Sequence, residues 1–148
     1  MRYIGAALAA LILISAGFFL WNLKMDADSG PIETVHAGNN VLLVAEYPGN
    51  QTSQEYRVEL SRNPDTGCFT DIDGNPLVMP LGSEVRGGDA NLRVVTGSGV
   101  EFTIGDTIRG GGELWTDAES LKEWLGADSL PDDCGKPPWA MVYGKIRR

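Results

Sequence analysis

The sequence predicts a mainly β domain with one short helix, built as a small antiparallel, partly closed barrel of the OB type or as a sandwich. This domain is predicted to follow an N-terminal transmembrane helix. Three observations lead to the prediction: an uncharged apolar run near the N-terminus, turn residues that recur about every 8–12 residues, and one capped helical pattern late in the chain. With 148 residues, the chain has room for one modest domain and a short appendage.

The N-terminal segment has the length and composition of a membrane-spanning helix. Residues 4–23 contain no charged side chain, and about 20 apolar residues are needed to cross the hydrocarbon core of a bilayer. Backbone groups must be satisfied internally in that core, so the segment is predicted to be a helix in contact with the lipid bilayer. Arg2 and the amino terminus favour a cytoplasmic N-terminus. Residues 1–24 are therefore assigned to an anchor, with a cleaved secretory signal as the alternative.

The next segment, residues 25–40, is predicted to be a flexible linker, because it is polar and is broken by Gly30-Pro31 and Gly38. The β domain is predicted to cover residues 41–148. Three of the 20 acidic and two of the 12 basic residues precede Val41, so this domain carries 17 acidic and 10 basic residues. An acidic domain repels phosphate backbones, which argues against a nucleic-acid partner.

Two cysteines, Cys68 and Cys134, follow the apolar segment, and each is flanked by turn residues. An even pair in an exported domain predicts one disulfide bond. In the chain-entropy model, a loop of roughly 67 residues closed in this way stabilises the fold by roughly 4 kcal/mol. The alternative is a pair of free thiols in a cytosolic domain.

Short β-rich runs separated by turn signals account for most of the predicted domain. In one of these runs Tyr56, Val58 and Leu60 alternate with polar residues and are predicted to share a face. Glycines between the strands are expected to serve bends or bulges, notably Gly87, Gly88 and residues 110–112. The predicted strands are 41–47, 56–60, 68–72, 77–79, 92–95, 100–104, 107–109 and 139–146.

A single helix is predicted after Trp115. Thr116 and Glu119 have the spacing of a capping box, and Gly126 is a plausible C-terminal stop. The helix is about nine residues long, so it must dock on the sheet to be stable. Three tryptophans are clustered around the helix: Trp115, Trp124 and Trp139. They either pack in the core or, in the case of Trp115 and Trp139, form a possible contact with a partner.

The sequence offers no catalytic, cofactor-binding or metal-binding residues. The only histidine, His36, lies in the predicted linker, which argues against a catalytic triad in the domain. One histidine and two cysteines are too few for the usual four-ligand zinc site. Residues 71–75 alternate oxygen ligands, but their glycine stands two positions too early for a calcium loop. No cofactor and no enzymatic activity are therefore expected.

Turn and glycine positions between residues 67 and 112 resemble those of small exported β-domain proteins of high-GC Gram-positive bacteria. The matching pieces are Gly67-Cys68, residues 74–83 and residues 104–112, although Met79 stands where an aromatic residue is typical. The family has no assigned activity. The resemblance therefore implies export and a small β domain, and it transfers no functional residue to this chain.

These observations together predict a membrane-tethered extracytoplasmic module that binds or assists an envelope protein and has no enzymatic activity. Cleavage of the N-terminal segment would make the module a secreted one. Two alternatives from other functional classes stay open: a small envelope enzyme that uses carboxylates, and a structural subunit of a membrane complex.

Overall fold

The computed structural model describes residues 31–47 and 54–148, and the predicted membrane segment over residues 4–23 lies outside them. None of the helices in the described part of the chain is long and apolar enough to cross a membrane. The elements there are β1 Ile32–Ala37, β2 Asn40–Ala45, β3 Glu55–Glu59, β4 Ser61–Arg62, β5 Phe69–Thr70, β6 Leu77–Pro80, β7 Glu84–Arg86, β8 Arg93–Val95, β9 Glu101–Thr103, β10 Thr107–Trp115, α1 Ala118–Leu125 and β11 Trp139–Arg147.

Six strands form an open mixed sheet in the order β1-β2-β6-β11-β10-β3. Strand β6 runs parallel to both of its neighbours, β2 and β11, and the other pairs are antiparallel. A mainly β fold with one short helix is therefore confirmed. The predicted partly closed barrel is wrong, because β1 and β3 stand at opposite ends of the sheet and do not pair. Hairpin signals identify neighbours in sequence, and they do not reveal the parallel pairing that places β6 in the middle.

Strand β1 corrects the predicted linker over residues 25–40. It pairs with β2 along its whole length, from Ile32 opposite Ala45 to Ala37 opposite Asn40. Gly38 has a φ of 61°, which a tight hairpin turn between the two strands requires. Strand β1 is an edge strand in which only Ile32 is buried. It therefore lacks the apolar periodicity of a buried strand, and this is why the sequence predicted a linker here.

Both faces of the central strands are buried, because successive side chains on a strand point to opposite faces. One face, here called the small-sheet face, packs against the three-stranded sheet β7-β8-β9 and the β4-β5 pair. Its core is aliphatic apart from two phenylalanines. The buried members are Leu42, Val44, Val58, Leu60, Phe69, Leu77, Met79, Leu92, Val94, Phe102, Ile108, Ala140, Val142 and Ile146.

The opposite face, here called the helix-side face, is covered by α1. Leu121 and Leu125 of the helix pack on side chains from β1, β2, β6 and β11. The helix ends at Gly126, whose φ of 66° confirms the predicted stop. Its N-cap is Asp117 and not Thr116: the Asp117 carboxylate accepts from the Ser120 N–H at 2.7 Å. Asp and Thr both cap helices well, so adjacent candidates cannot be separated by residue type alone.

Cys68 and Cys134 form the predicted disulfide bond, with Cα atoms 5.8 Å apart. Cys68 lies just before β5 and bridges to Val41 at the start of β2. Cys134 lies in the loop that leads from α1 to β11. The bond therefore fastens that loop, which lies over the helix-side face, to the body of the domain.

Candidate functional site

Four aromatic rings form a continuous cluster on the helix-side face. The ring centroid of Trp124, on α1, lies 5.1 Å from Trp115, 5.9 Å from Tyr143 and 6.0 Å from Tyr47. Tyr47 and Tyr143 are themselves 5.0 Å apart. All of these pairs are tilted, within the range of separations that aromatic pairs favour. Tyr47, Trp115 and Trp124 are half-buried, so the cluster also forms part of the surface.

The two tyrosine hydroxyls are directed by hydrogen bonds. Tyr47 donates to the Val78 carbonyl oxygen at 3.3 Å, and Tyr143 donates to Glu113 Oε1 at 3.5 Å. Burial raises the pKa of both phenols, and the Glu113 carboxylate adds to the rise in the pKa of Tyr143. Both tyrosines are therefore neutral hydrogen-bond donors at physiological pH.

A cleft of about 320 Å³ lies between α1 and the loop over residues 127–138. One wall comes from Ala118, Glu119 and Lys122, and the last two form an ion pair at 2.8 Å. The other wall is the loop, which contributes apolar groups and charges of both signs: Asp128, Ser129, Leu130, Pro131, Asp132, Lys136 and Pro137. A surface of this kind has apolar area to bury and polar groups to orient a partner.

The two tryptophans predicted as partner contacts differ in accessibility. Trp139 is fully buried beneath α1, and its Nε1–H donates to the Gly135 carbonyl oxygen at 3.1 Å. It is therefore packed in the core, the other interpretation given above, and it also lines the cleft. Trp115 is half-buried at the rim of the aromatic cluster and keeps an accessible side.

Sequence reasoning did not identify Tyr47, Trp124 or Tyr143 as site residues. Trp124 lies within the predicted helix, and the two tyrosines lie in predicted strands about a hundred residues apart in the chain. Their spacing carries no signal, because the sheet and the docked helix bring them together. Asp71, in the calcium-like segment, uses both carboxylate oxygens on Asn75, each at 2.8 Å, which stabilises a turn.

The comparisons with known proteins do not indicate what this site binds. No protein-family model, no curated protein and no solved structure matches this chain. Residues 31–47 and 54–148 contain no group of three or more histidine, cysteine, aspartate or glutamate side chains placed to hold a metal ion.

Proposed function

We propose that this protein is an extracytoplasmic binding or accessory module, tethered to the membrane by residues 1–24, whose partner is an envelope protein. The contact surface is the aromatic cluster. Trp115 and Trp124 are the anchors, since half-buried aromatic side chains bury large areas on association and lose little conformational entropy.

The aromatic cluster, in which Tyr47, Trp115 and Trp124 keep part of their surface accessible, is the observation that carries the proposal. Large aromatic side chains that keep accessible surface are enriched where proteins bind one another. Here the cluster is held on a rigid base, because Trp124 projects from a helix docked on the sheet and Tyr143 lies on a central strand. Rigid placement lowers the entropic cost of binding.

Two further observations support the extracytoplasmic placement. Disulfide bonds persist in oxidising compartments and are rare in the cytosol, and this chain contains one between Cys68 and Cys134. The uncharged run over residues 4–23 precedes the domain and has the length of a membrane span.

Affinity purification of the full-length protein from its own cells, in mild detergent, tests the partner role. Wild-type protein and Trp115→Ala are compared with the control Leu114→Ala, which removes a neighbouring side chain that is 42% exposed on the other face. We expect a defined co-purifying protein with the wild type and the control, and its loss with Trp115→Ala. Equal recovery with all three proteins would overturn the assignment of the surface.

A reporter fused to the C-terminus tests the placement independently. A reporter that functions only outside the cytoplasm should be active, and its cytoplasmic counterpart should be silent. The opposite result would invert the topology and remove the extracytoplasmic part of the proposal, whatever the outcome of the purification.

A further inference from the structure

Three arginines lie side by side across the outer half of the six-stranded sheet. Arg109 on β10 is directly opposite Arg57 on β3 and directly opposite Arg147 on β11. Directly opposed residues point to the same face, with Cβ atoms roughly 5 Å apart in an antiparallel pair. We call these three residues the arginine row.

The arginine row lies on the helix-side face, in a part that α1 leaves open. Ile108 is buried in the small-sheet core, so its neighbour Arg109 points to the opposite face. The only residue of β10 that packs beside the helix is Trp115, which is about 20 Å away along the strand. The side chains of Arg57 and Arg147 are 61% and 58% exposed.

The carboxylate of Glu55 accepts hydrogen bonds from two members of the row. Glu55 Oε1 accepts from Arg57 Nε at 2.7 Å, and its Oε2 accepts from Arg147 Nη2 at 2.7 Å. The hydrogen bond and charge of Arg57, followed by those of Arg147, hold the pKa of Glu55 below its usual value. Within the described ranges no carboxylate pairs with Arg109, and its Nε–H is buried without an acceptor, as is that of Arg93 on the small sheet. Glu59, exposed two positions after Arg57, is the other acid beside the row.

A second cross-strand arginine pair, on the small sheet, has as many carboxylate partners as arginines. Arg86 on β7 is directly opposite Arg93 on β8, and each has its own carboxylate partner, Glu84 and Glu101 respectively. Like charges placed directly opposite each other destabilise a sheet. The pair on the small sheet offsets this cost with one carboxylate for each arginine, whereas the arginine row does not.

We infer that the arginine row is a binding site for a phosphate group. A phosphate has enough oxygens to engage two guanidinium groups at once, and the planar guanidinium donors match its geometry. The half-buried Arg109 supplies the central guanidinium through its terminal Nη groups, and the outer donors of Arg57 and Arg147 complete the contact. The phosphate can belong to a soluble molecule or to a lipid headgroup, since both present the same oxygens.

Titration of the full-length protein in micelles of a phosphate-free maltoside detergent with inorganic phosphate tests this inference, with the arginine Nε–H signals followed by NMR. We expect the Arg109 signal to shift and saturate. Arg109→Gln should weaken the affinity at least about tenfold, the effect of losing charge-assisted hydrogen bonds. Arg109→Lys keeps the charge and loses the fork, so it should bind with intermediate affinity. The matched control, Arg86→Gln, should bind like the wild type.

Glu55→Gln distinguishes a binding site from a purely structural row. Removal of this carboxylate frees Arg57 and Arg147, so phosphate affinity should rise several-fold. A structural row would gain nothing from the change. Failure of the Arg109 signal to saturate, unchanged affinity in Glu55→Gln, or equal losses in Arg109→Gln and Arg86→Gln would each overturn the inference.

Vesicles identify the source of the phosphate. The protein is reconstituted in vesicles of a neutral, phosphate-free galactolipid with or without phosphatidylglycerol, and inorganic phosphate is then added. If the Arg109 signal has already shifted in the anionic vesicles, the ligand is a lipid headgroup. If it shifts only after phosphate is added, the ligand is soluble. No shift in either condition contradicts the inference.

Discussion

The two faces of the central sheet are built from the same strands and yet differ in chemistry. The small-sheet face is closed over by a second sheet and filled with aliphatic side chains and two phenylalanines. The helix-side face has one eight-residue helix and a disulfide-fastened loop as cover, together with aromatic rings that remain half exposed. Beyond the helix the same face is open and carries the arginine row.

From this difference we expect substitutions on the two faces to have different effects. A close-packed aliphatic core contributes most of the hydrophobic stabilisation and leaves little surface for recognition. The thinner cover on the other side leaves accessible aromatic and charged groups at fixed positions. Substitutions on the small-sheet face should therefore change mainly stability, and substitutions on the helix-side face should change mainly binding.

The largest effect is expected from Phe102→Ala on the small-sheet face. Phe102 is fully buried on β9, and truncation of a buried phenylalanine costs about 3–5 kcal/mol through lost burial and the cavity left behind. Trp115→Ala, at a half-buried position, should reduce the free energy of unfolding by less. Urea unfolding measures the free energy of unfolding of both variants. A larger decrease for Trp115→Ala would contradict the expectation that the small-sheet face contributes more to stability.

A second effect is expected from replacing the disulfide in the double variant Cys68→Ser and Cys134→Ser. The free energy of unfolding should fall by about 2–4 kcal/mol, because the unfolded chain regains the freedom that the cross-link removes. The loop over residues 127–138 loses its covalent attachment, so its amide protection should fall before that of β8 and β9.

Hydrogen exchange followed residue by residue measures whether the loop loses amide protection before β8 and β9. Reduction of the wild-type bond, after which the thiols are alkylated, is the matched control and should give the same pattern. If the loop and the small sheet lose protection together, the bond stabilises the whole domain and not the helix-side cover in particular.

The smallest effect concerns the helix cap at acidic pH. The hydrogen bonds from Ser120 to Asp117 lower the pKa of that carboxyl. A lowered folded-state pKa adds stability above the unfolded value of about 4, and this contribution is lost as the pH falls below it. Asp117→Asn keeps a capping oxygen and cannot titrate.

The Tm difference between the wild type and Asp117→Asn should therefore shrink or reverse between about pH 6 and pH 3. Glu55 and Asp106, whose pKa values are also lowered, titrate alike in both proteins and cancel in the comparison. A Tm difference that is constant over this range would show that the Asp117 carboxylate does not contribute through its charge.

The sequence by itself determined the local features of this protein. The alternation of apolar and polar residues over 56–60 correctly predicted that Tyr56, Val58 and Leu60 share one face, and this face packs in the small-sheet core. Gly126 correctly marked the end of the helix, because a left-handed residue there favours glycine. Two cysteines allow a single pairing, so the disulfide also followed from the sequence.

Only the tertiary structure decided the strand order and both candidate sites. The parallel placement of β6 and the pairing of β1 depend on which partner buries the most surface, and a local pattern does not contain that information. The arginine row combines Arg57, Arg109 and Arg147 from three separate strands, and the aromatic cluster likewise joins distant segments. Periodicity reports which face of an element is buried, whereas the neighbours across that face are set by the free energy of the whole fold.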